Sequence, residues 1–582
     1  MARLALEAVT KQAPGATALD TVSLALEPGT VHALVGAGGS GKSTLLDVAA
    51  GVLRPDGGRV LWDGEPVALD SPQRARALGI VMVRRRAALF DSLSVAENLA
   101  LPAGLPTRAG GWVRWGLVRA TAGRSLAEVG AEGLPLSRRA GDLSAGQRRL
   151  VAIAAAVAQR PRVLLLDEPT ASLSAEQVPA VIAAIRRLAD GGTAVLLATS
   201  DVDAALQCAD AITVLRDGRQ VLARAAAGAS RDEVAAAMGV VAPHETARRS
   251  ATERSGAARR GCARALSVVR AVGLLAGFAV VVAVLSSRVL GFASASNLAK
   301  LAVDVSLVAI AAVGLTAVVV GGGLDASVGA MMAVAAACSA LAVQAGTPVA
   351  AGVAAAVGVG LMLGAWNGAL SALSRVHSAV VTLAMMLVYR WLFGVLLGGQ
   401  PLDPVPAGLR ALAFGEVAGV QAIVWVALAV VVGGAAVLRH HAWGRRLRAT
   451  GGNRARAEAL GIRTGWVRVL SFAVCGALVG VAGVLWAGEY GRLEPGLGGS
   501  YGLQVLAAVV LGGASLAGGG SVVGTALAAL LVGVLYNGMM LRDVPSRWQL
   551  AFFALLIVAG VLFEEVRRRL AAARRRRVSR RS

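Results

Sequence analysis

Lysine is nearly missing from this sequence. Only Lys11, Lys42 and Lys300 occur among 58 basic residues, and arginine supplies the rest. A position that keeps lysine against that bias is one where a compact point charge fits and a planar fork does not. Cysteine is scarce too: Cys208, Cys262, Cys338 and Cys475 lie far apart, with no C-x-x-C or metal-ligand spacing. They read as small buried residues in a reducing or membrane setting. The opening Met-Ala-Arg-Leu-Ala-Leu-Glu lacks the uninterrupted apolar stretch of a secretory signal, so the first domain is expected in the cytosol. Long uncharged runs are absent before about Ala265 and then follow one another. A chain of 582 residues, 56% hydrophobic with a mean hydropathy of +0.65, is too long for one core and too apolar for a soluble enzyme. Half soluble and half membrane is the expectation. Acidic residues number only 35, leaving a net charge of +23. The arginines gather beside apolar runs, at Arg439 to Arg448 and Arg567 to Arg581, as in cytoplasmic loops facing anionic lipid, so no nucleic-acid partner is expected.

What is present begins with Gly36-Ala37-Gly38-Gly39-Ser40-Gly41-Lys42-Ser43-Thr44, between an apolar run, Val31 to Val35, and a helical-looking Leu45 to Ala50. The spacing G-x-x-x-x-G-K-[ST] lets backbone N–H groups curl around phosphate oxygens, because glycines remove the side chains that would block the approach. Lys42 is placed to reach the β and γ phosphates and the Ser43 hydroxyl to hold magnesium. Around this loop, residues 3 to about 225 alternate short β-rich runs (Val31 to Val35, Ile80 to Val83, Val163 to Leu166, Ala194 to Ala198) with alanine-rich helical stretches, an α/β pattern on a largely parallel sheet. Val163 to Thr170 is a buried strand ending in adjacent carboxylates. Asp167 suits magnesium through its water shell, and Glu168 suits the water that attacks the γ phosphate. Leu143-Ser144-Ala145-Gly146-Gln147 opens a helix from Arg148 to Ala158, and its N-terminus makes a second phosphate site, for a nucleotide held by another subunit.

Three such motifs in this order and spacing resemble the nucleotide-binding domain of ABC transporters, with Ala171-Ser172-Leu173 where that family has its D-loop. The wording at Leu93 to Asn98 and at Thr213 to Gly218 is most similar to the monosaccharide-importer branch. The resemblance implies an ABC-type ATPase using ATP and Mg2+. By that resemblance Lys42, Asp167 and Glu168 are catalytic, Gly36 to Thr44 with Ser144, Gly146 and Gln147 bind the nucleotide, and Ser43 and Asp167 hold the metal. Three positions depart from the pattern. Ala13 stands where an aromatic stacks on adenine, Arg85 where a glutamine touches magnesium and the attacking water, and Ser200 where a switch histidine follows the strand. Arginine can contact phosphate and cannot coordinate magnesium. An ATPase that binds well and turns over slowly without a more complete partner is the expectation.

Residues 1–240 thus form the expected ATPase domain, followed by a basic linker at 241–264. A transmembrane permease domain is expected at 265–566 and a basic cytoplasmic tail at 567–582. Apolar runs near 265–286, 301–320, 328–345, 348–373, 379–397, 420–438, 469–487, 503–517, 521–541 and 549–563 predict an all-α polytopic domain of about eight to ten membrane segments, some of them re-entrant. Polar residues inside the spans are functional candidates: Asp325, Ser327, Asn367, Thr382 and Gln504. A helix N-cap competes for Asp325 and Ser327, and inter-helix hydrogen bonding competes for Asn367 and Thr382. The longest polar interruption, His440 to Arg468, holds Gly451, Gly452, Asn453, Glu458 and Gly461, and its arginines place it in the cytoplasm. With Gly323 to Gly329 and Gly512 to Gly519 it resembles the permease subunit of ribose-type importers, in which such a segment couples to the ATPase.

The two resemblances together imply ATP-driven import of a monosaccharide or similar solute across the cytoplasmic (inner) membrane, with both termini inside. An extracytoplasmic solute-binding protein and a second copy or related ABC subunit would be its partners. A nucleoside or sugar-like signal importer, or a weakened ATP-gated membrane protein, are the alternatives. An exporter is disfavoured because exporters generally put the membrane domain first.

Overall fold

The computed structural model describes residues 3–13, 16–85, 89–171, 173, 178–239, 278–374, 376–494 and 498–581. The expected linker at 241–264 and Ser172 of the D-loop lie outside them. The described residues fall into two compact units: residues up to 239 together with Glu458–Gly461, and the remainder.

In the first unit the strand Val163–Asp167 is buried at all five positions, and Ala194–Thr199 at all six. Strands covered on both faces read as unbroken apolar runs, and a parallel sheet results. That sheet has six strands, in the order Arg219–Ala225, Ala211–Arg216, Val31–Val35, Ala194–Thr199, Val163–Asp167 and Ile80–Val83; only the Arg219–Ala225 edge is antiparallel. The register pairs Val35 with Thr199 and Asp167 with Ala198, which brings the carboxyl ends of three strands to one level. Ligands of open α/β sheets bind at that edge. A second, antiparallel sheet joins Ala16–Leu26, Leu4–Ala13, Gly57–Trp62 and Glu65–Pro66.

Among the described residues the named elements of the second unit are helices and one hairpin of two-residue strands, Glu416–Val417 with Val420–Gln421. Among the described residues six helices are long and apolar enough to cross a membrane: Ala295–Val320, Val349–Leu373, Ser378–Leu396, Ala422–His440, Thr464–Tyr490 and Val522–Met540. This unit makes the chain a multi-pass membrane protein. The expectation was about eight to ten segments, some of them re-entrant; the described residues hold these six of spanning length and shorter apolar helices besides. The runs near 328–345 and 503–517 form helices of only 17 and 13 residues, Val328–Gln344 and Gly499–Leu511, which stop at Gly346 and at Gly512-Gly513. A further helix runs from Ser546 to Arg581 and is apolar over Ser546–Leu562.

Small residues decide which helices meet. Gly360 and Gly364 on Val349–Leu373 face Gly476 on Thr464–Tyr490, and Gly368 faces Val469 and Phe472. A Cβ on Gly476 would strike the Gly360 carbonyl, and one on Gly364 would strike the Phe472 carbonyl. Backbones approach this closely only where side chains are missing, which is how helices associate when lipid is as apolar as the core. Ser378–Leu396 and Ala422–His440 instead leave Leu387, Trp391, Leu428 and Val432 exposed, as lipid-facing helices do.

Candidate functional site

The phosphate loop runs from the end of Val31–Val35 into the helix Lys42–Ala49. Gly39 and Gly41 have φ of 86° and 99°, and a Cβ on Gly41 would stand 2.6 Å from the Ala18 carbonyl, so glycine is required there. The loop bounds a cavity of about 190 Å³, lined by Ala18, Gly38 to Thr44, Arg85, Asp167 and Glu168. Gly36 and Ala37 lie behind it, where their carbonyls accept from Lys42 Nζ at 2.5 and 2.9 Å. Burial pushes the Lys42 pKa down, against the upward pull of Glu168 and Asp167, while Arg85 lowers it further. The Ser43 hydroxyl donates toward Asp167, 3.3 and 3.4 Å from its two carboxylate oxygens.

The chemistry of this cavity fits a magnesium nucleotide. Ser40 Oγ is buried without a hydrogen-bond partner on the cavity wall. A Cβ on Gly38 or Gly39 would meet no protein atom within 4 Å. Ser43 and Asp167 offer the hard oxygens that magnesium takes in addition to phosphate. Glu168 sits at φ 48°, a sparsely populated conformation for a residue with a side chain, and its N–H is held by the Ala198 carbonyl at 2.8 Å.

In the membrane unit, four of the five polar candidates converge on the non-helical stretch between Val320 and Val328. Asp325 is wholly buried; its Oδ1 accepts from the Ser327 N–H (2.9 Å) and hydroxyl (2.6 Å), and its Oδ2 from Asn367 Nδ2 (3.3 Å). Asn367 Oδ1 accepts from the Tyr389 hydroxyl at 2.8 Å. Thr382 Oγ1 accepts from Ala326 N–H at 3.0 Å, and Ser378 Oγ from Leu324 N–H at 2.8 Å. Irregular backbone at membrane depth needs such partners. Ser327 occupies the N-cap position of Val328–Gln344 without making a side-chain cap bond, and Asp325 holds the N–H of that N-cap residue.

The fifth candidate, Gln504, lines a cavity of about 720 Å³ that Asp325 also borders. Its other polar and aromatic walls include Asp304, Arg390, Trp486, Tyr490 and Tyr536. Trp486 and Tyr490 stack at 4.6 Å, and the Tyr490 hydroxyl donates to Asp304 at 3.0 Å. Sequence reading missed Asp304, Trp486 and Tyr490; the signal was an aromatic pair four residues apart at the end of an apolar run.

Of the coupling candidates, Gly451 and Gly452 end the helix Ala442–Gly452, where a Cβ on Gly451 would strike the Val320 carbonyl. Asn453 accepts from Arg456 N–H at 3.0 Å, Glu458 lies in the short helix Arg454–Ala459, and Gly461 follows it at φ 80°.

Residues 19–171 match the ABC transporter family, and residues 297–561 match the permease component of branched-chain amino acid transport systems. The chain carries an ABC transporter ATPase fused to a permease domain. It is 38% identical to ribose import ATP-binding protein RbsA 1 of Rubrobacter xylanophilus over 47% of this chain and 56% of that protein. It is also 38% identical to ribose import ATP-binding protein RbsA 1 of Streptomyces avermitilis, over 40% of this chain and 44% of that protein. The chain spans about half the length of these curated relatives.

In the ABC transporter ATPase, Ser144 is exposed and caps the helix Ala145–Val157 in a reciprocal box with Gln147, 3.2 and 3.1 Å. Ser144, Gly146 and Gln147 do not line the phosphate cavity of their own chain. Ala13 ends the strand Leu4–Ala13, and Ser200 is exposed beyond Ala194–Thr199; neither lines the cavity. Arg85 does. Sequence reading missed Arg149, whose guanidinium is buried behind Arg85 and Glu168; the signal was an arginine in helical register with the apolar Ala152, Ile153 and Ala156.

Proposed function

We propose that this protein imports a monosaccharide or a similar small polar solute across the cytoplasmic membrane at the expense of ATP, working as one half of a paired transporter. The observation that carries the reading is a phosphate cavity walled by Lys42, Ser43, Asp167 and Glu168 in the same polypeptide as a multi-pass helical unit. The relatives named for ribose import support a sugar. So does the larger cavity, where an aromatic face stands beside hydroxyl-binding side chains, Asp304 and Gln504 among them.

Lys42 would leave the Gly36 and Ala37 carbonyls to pair with phosphate oxygens, joined by the loop N–H groups and the free Ser40 hydroxyl. Ser43 and Asp167 would hold magnesium, which when bound supplies charge neutralisation at the phosphates. Glu168 would accept the proton of the attacking water. Ser144 of one subunit would close over the nucleotide of the other, which makes pairing part of the site. Residues 451–462 would transmit closure to the helices. The ATPase domain and both termini would lie inside, and an extracytoplasmic binding protein would deliver the solute. Arg85 on the cavity wall favours slow turnover, because a guanidinium orients no water by accepting from it.

ATP-dependent uptake of labelled ribose and leucine into proteoliposomes tests this. Lys42→Ala is expected to abolish uptake, and omitting the binding protein to stop it. Uptake by Lys42→Ala at the unaltered rate would sink the reading.

A further inference from the structure

Arg149 lies in the helix that Ser144 caps, and it is 3% exposed. Its Nη1 donates to the Arg84 carbonyl at 2.7 Å; its Nη2 donates to the Glu168 carbonyl at 3.1 Å and also to the Arg85 carbonyl. Arg85 and Glu168 both line the nucleotide cavity, yet they belong to different segments, one after Ile80–Val83 and one after Val163–Asp167. The donors of a guanidinium sit in a rigid planar fork, so bonding three carbonyls at once fixes the spacing of those segments. From the other side, Arg84 Nη2 donates to Asp47 at 2.7 Å, on the helix that follows the phosphate loop. The backbone of Arg85 is therefore gripped between the phosphate-loop helix and the Ser144 helix, with its side chain on the cavity wall.

We propose that Arg149 is the positioning residue that sets the Arg85 guanidinium against the terminal phosphate of the bound nucleotide. This rests on the nucleotide-site reading above and deepens it. ADP lacks the terminal phosphate, so the contact is read as preference for ATP over ADP. A merely structural arginine would not move that ratio.

The test measures ATP and ADP affinities of the full chain in nanodiscs, by displacement of a fluorescent ATP analogue. Arg149→Met is expected to weaken ATP binding about tenfold, the size of a lost charge-assisted contact, and ADP binding less than about twofold. Arg85→Ala should do the same, and the double variant no more than either alone. Arg149→Lys keeps the charge without the fork and should fall between; it carries the test if Arg149→Met does not fold. Equal weakening of both nucleotides, unchanged ATP affinity, or losses that add in the double variant would overturn the proposal. Failure of the unaltered protein to bind either nucleotide in a Lys42-dependent way would overturn the site reading, and this inference with it. Normal binding with no response at Arg149 overturns this inference alone.

Discussion

Arg85 brings a second cation to a cavity that already holds Lys42, and it lowers the Lys42 pKa by doing so. An amide at that position would donate and accept, ordering a water and a magnesium ligand; guanidinium only donates. Arg85→Gln is therefore expected to raise ATP turnover several-fold, on the order of 1 kcal/mol in the barrier. Phosphate release from the purified protein measures it, and an unchanged rate would remove Arg85 as the brake. Elsewhere in the ATPase, half-buried His32 places its ring between the Ala25 carbonyl and the Thr213 hydroxyl, at 3.2 and 2.9 Å. Burial pushes its pKa below the ordinary 6.5. With the folded value depressed, the unfolded chain binds the extra proton first. Stability is therefore full above 6.5 and declines as pH falls below it. Thermal unfolding followed from pH 8 to 5.5 should show the ATPase transition dropping on the acid side, by less in His32→Asn.

At the scale of elements, the packing of Val349–Leu373 on Thr464–Tyr490 depends on a row of missing side chains. Gly476→Val puts a branched side chain against the Gly360 carbonyl and the Gly364 backbone, neither of which can rotate away. The expected cost is on the order of 1–3 kcal/mol, as for overpacking in a dense core. Thermal unfolding of the detergent-solubilised protein should fall by several degrees, while Val at Gly433, which meets nothing within 4 Å, should change it little. The stacked Trp486 and Tyr490 lie at the far end of Thr464–Tyr490. If this pair is the platform for a sugar ring, Trp486→Ala raises the KM for uptake while ATP binding stays unchanged.

At the scale of the whole molecule, the pairing proposed above would give two composite sites, each with one Lys42 loop and one Ser144 helix from opposite partners. Lys42→Ala and Ser144→Arg should each abolish uptake alone. Mixing the two variants should restore part of it, because a mixed pair contains one site with neither defect. No recovery on mixing, measured as ATP-dependent uptake, would argue against composite sites.

Contiguous stretches of this chain fix their own local structure, and those were readable directly. Gly36 to Thr44, Val163 to Glu168 and Leu143 to Gln147 each carry strand, turn and cap chemistry within ten residues, so spacing alone specifies them. Convergence over distance was not readable. Asp325 meets Asn367, 42 residues on, Asp304 meets Tyr490 after 186, and Arg149 reaches back 65 residues to Arg84. Hydropathy likewise marks ten apolar runs without saying which become helices long enough to span, since glycine breaks set the lengths. Local backbone preference is a property of neighbours in sequence. Which side chains face one another is settled only when helices and strands pack to bury their apolar faces.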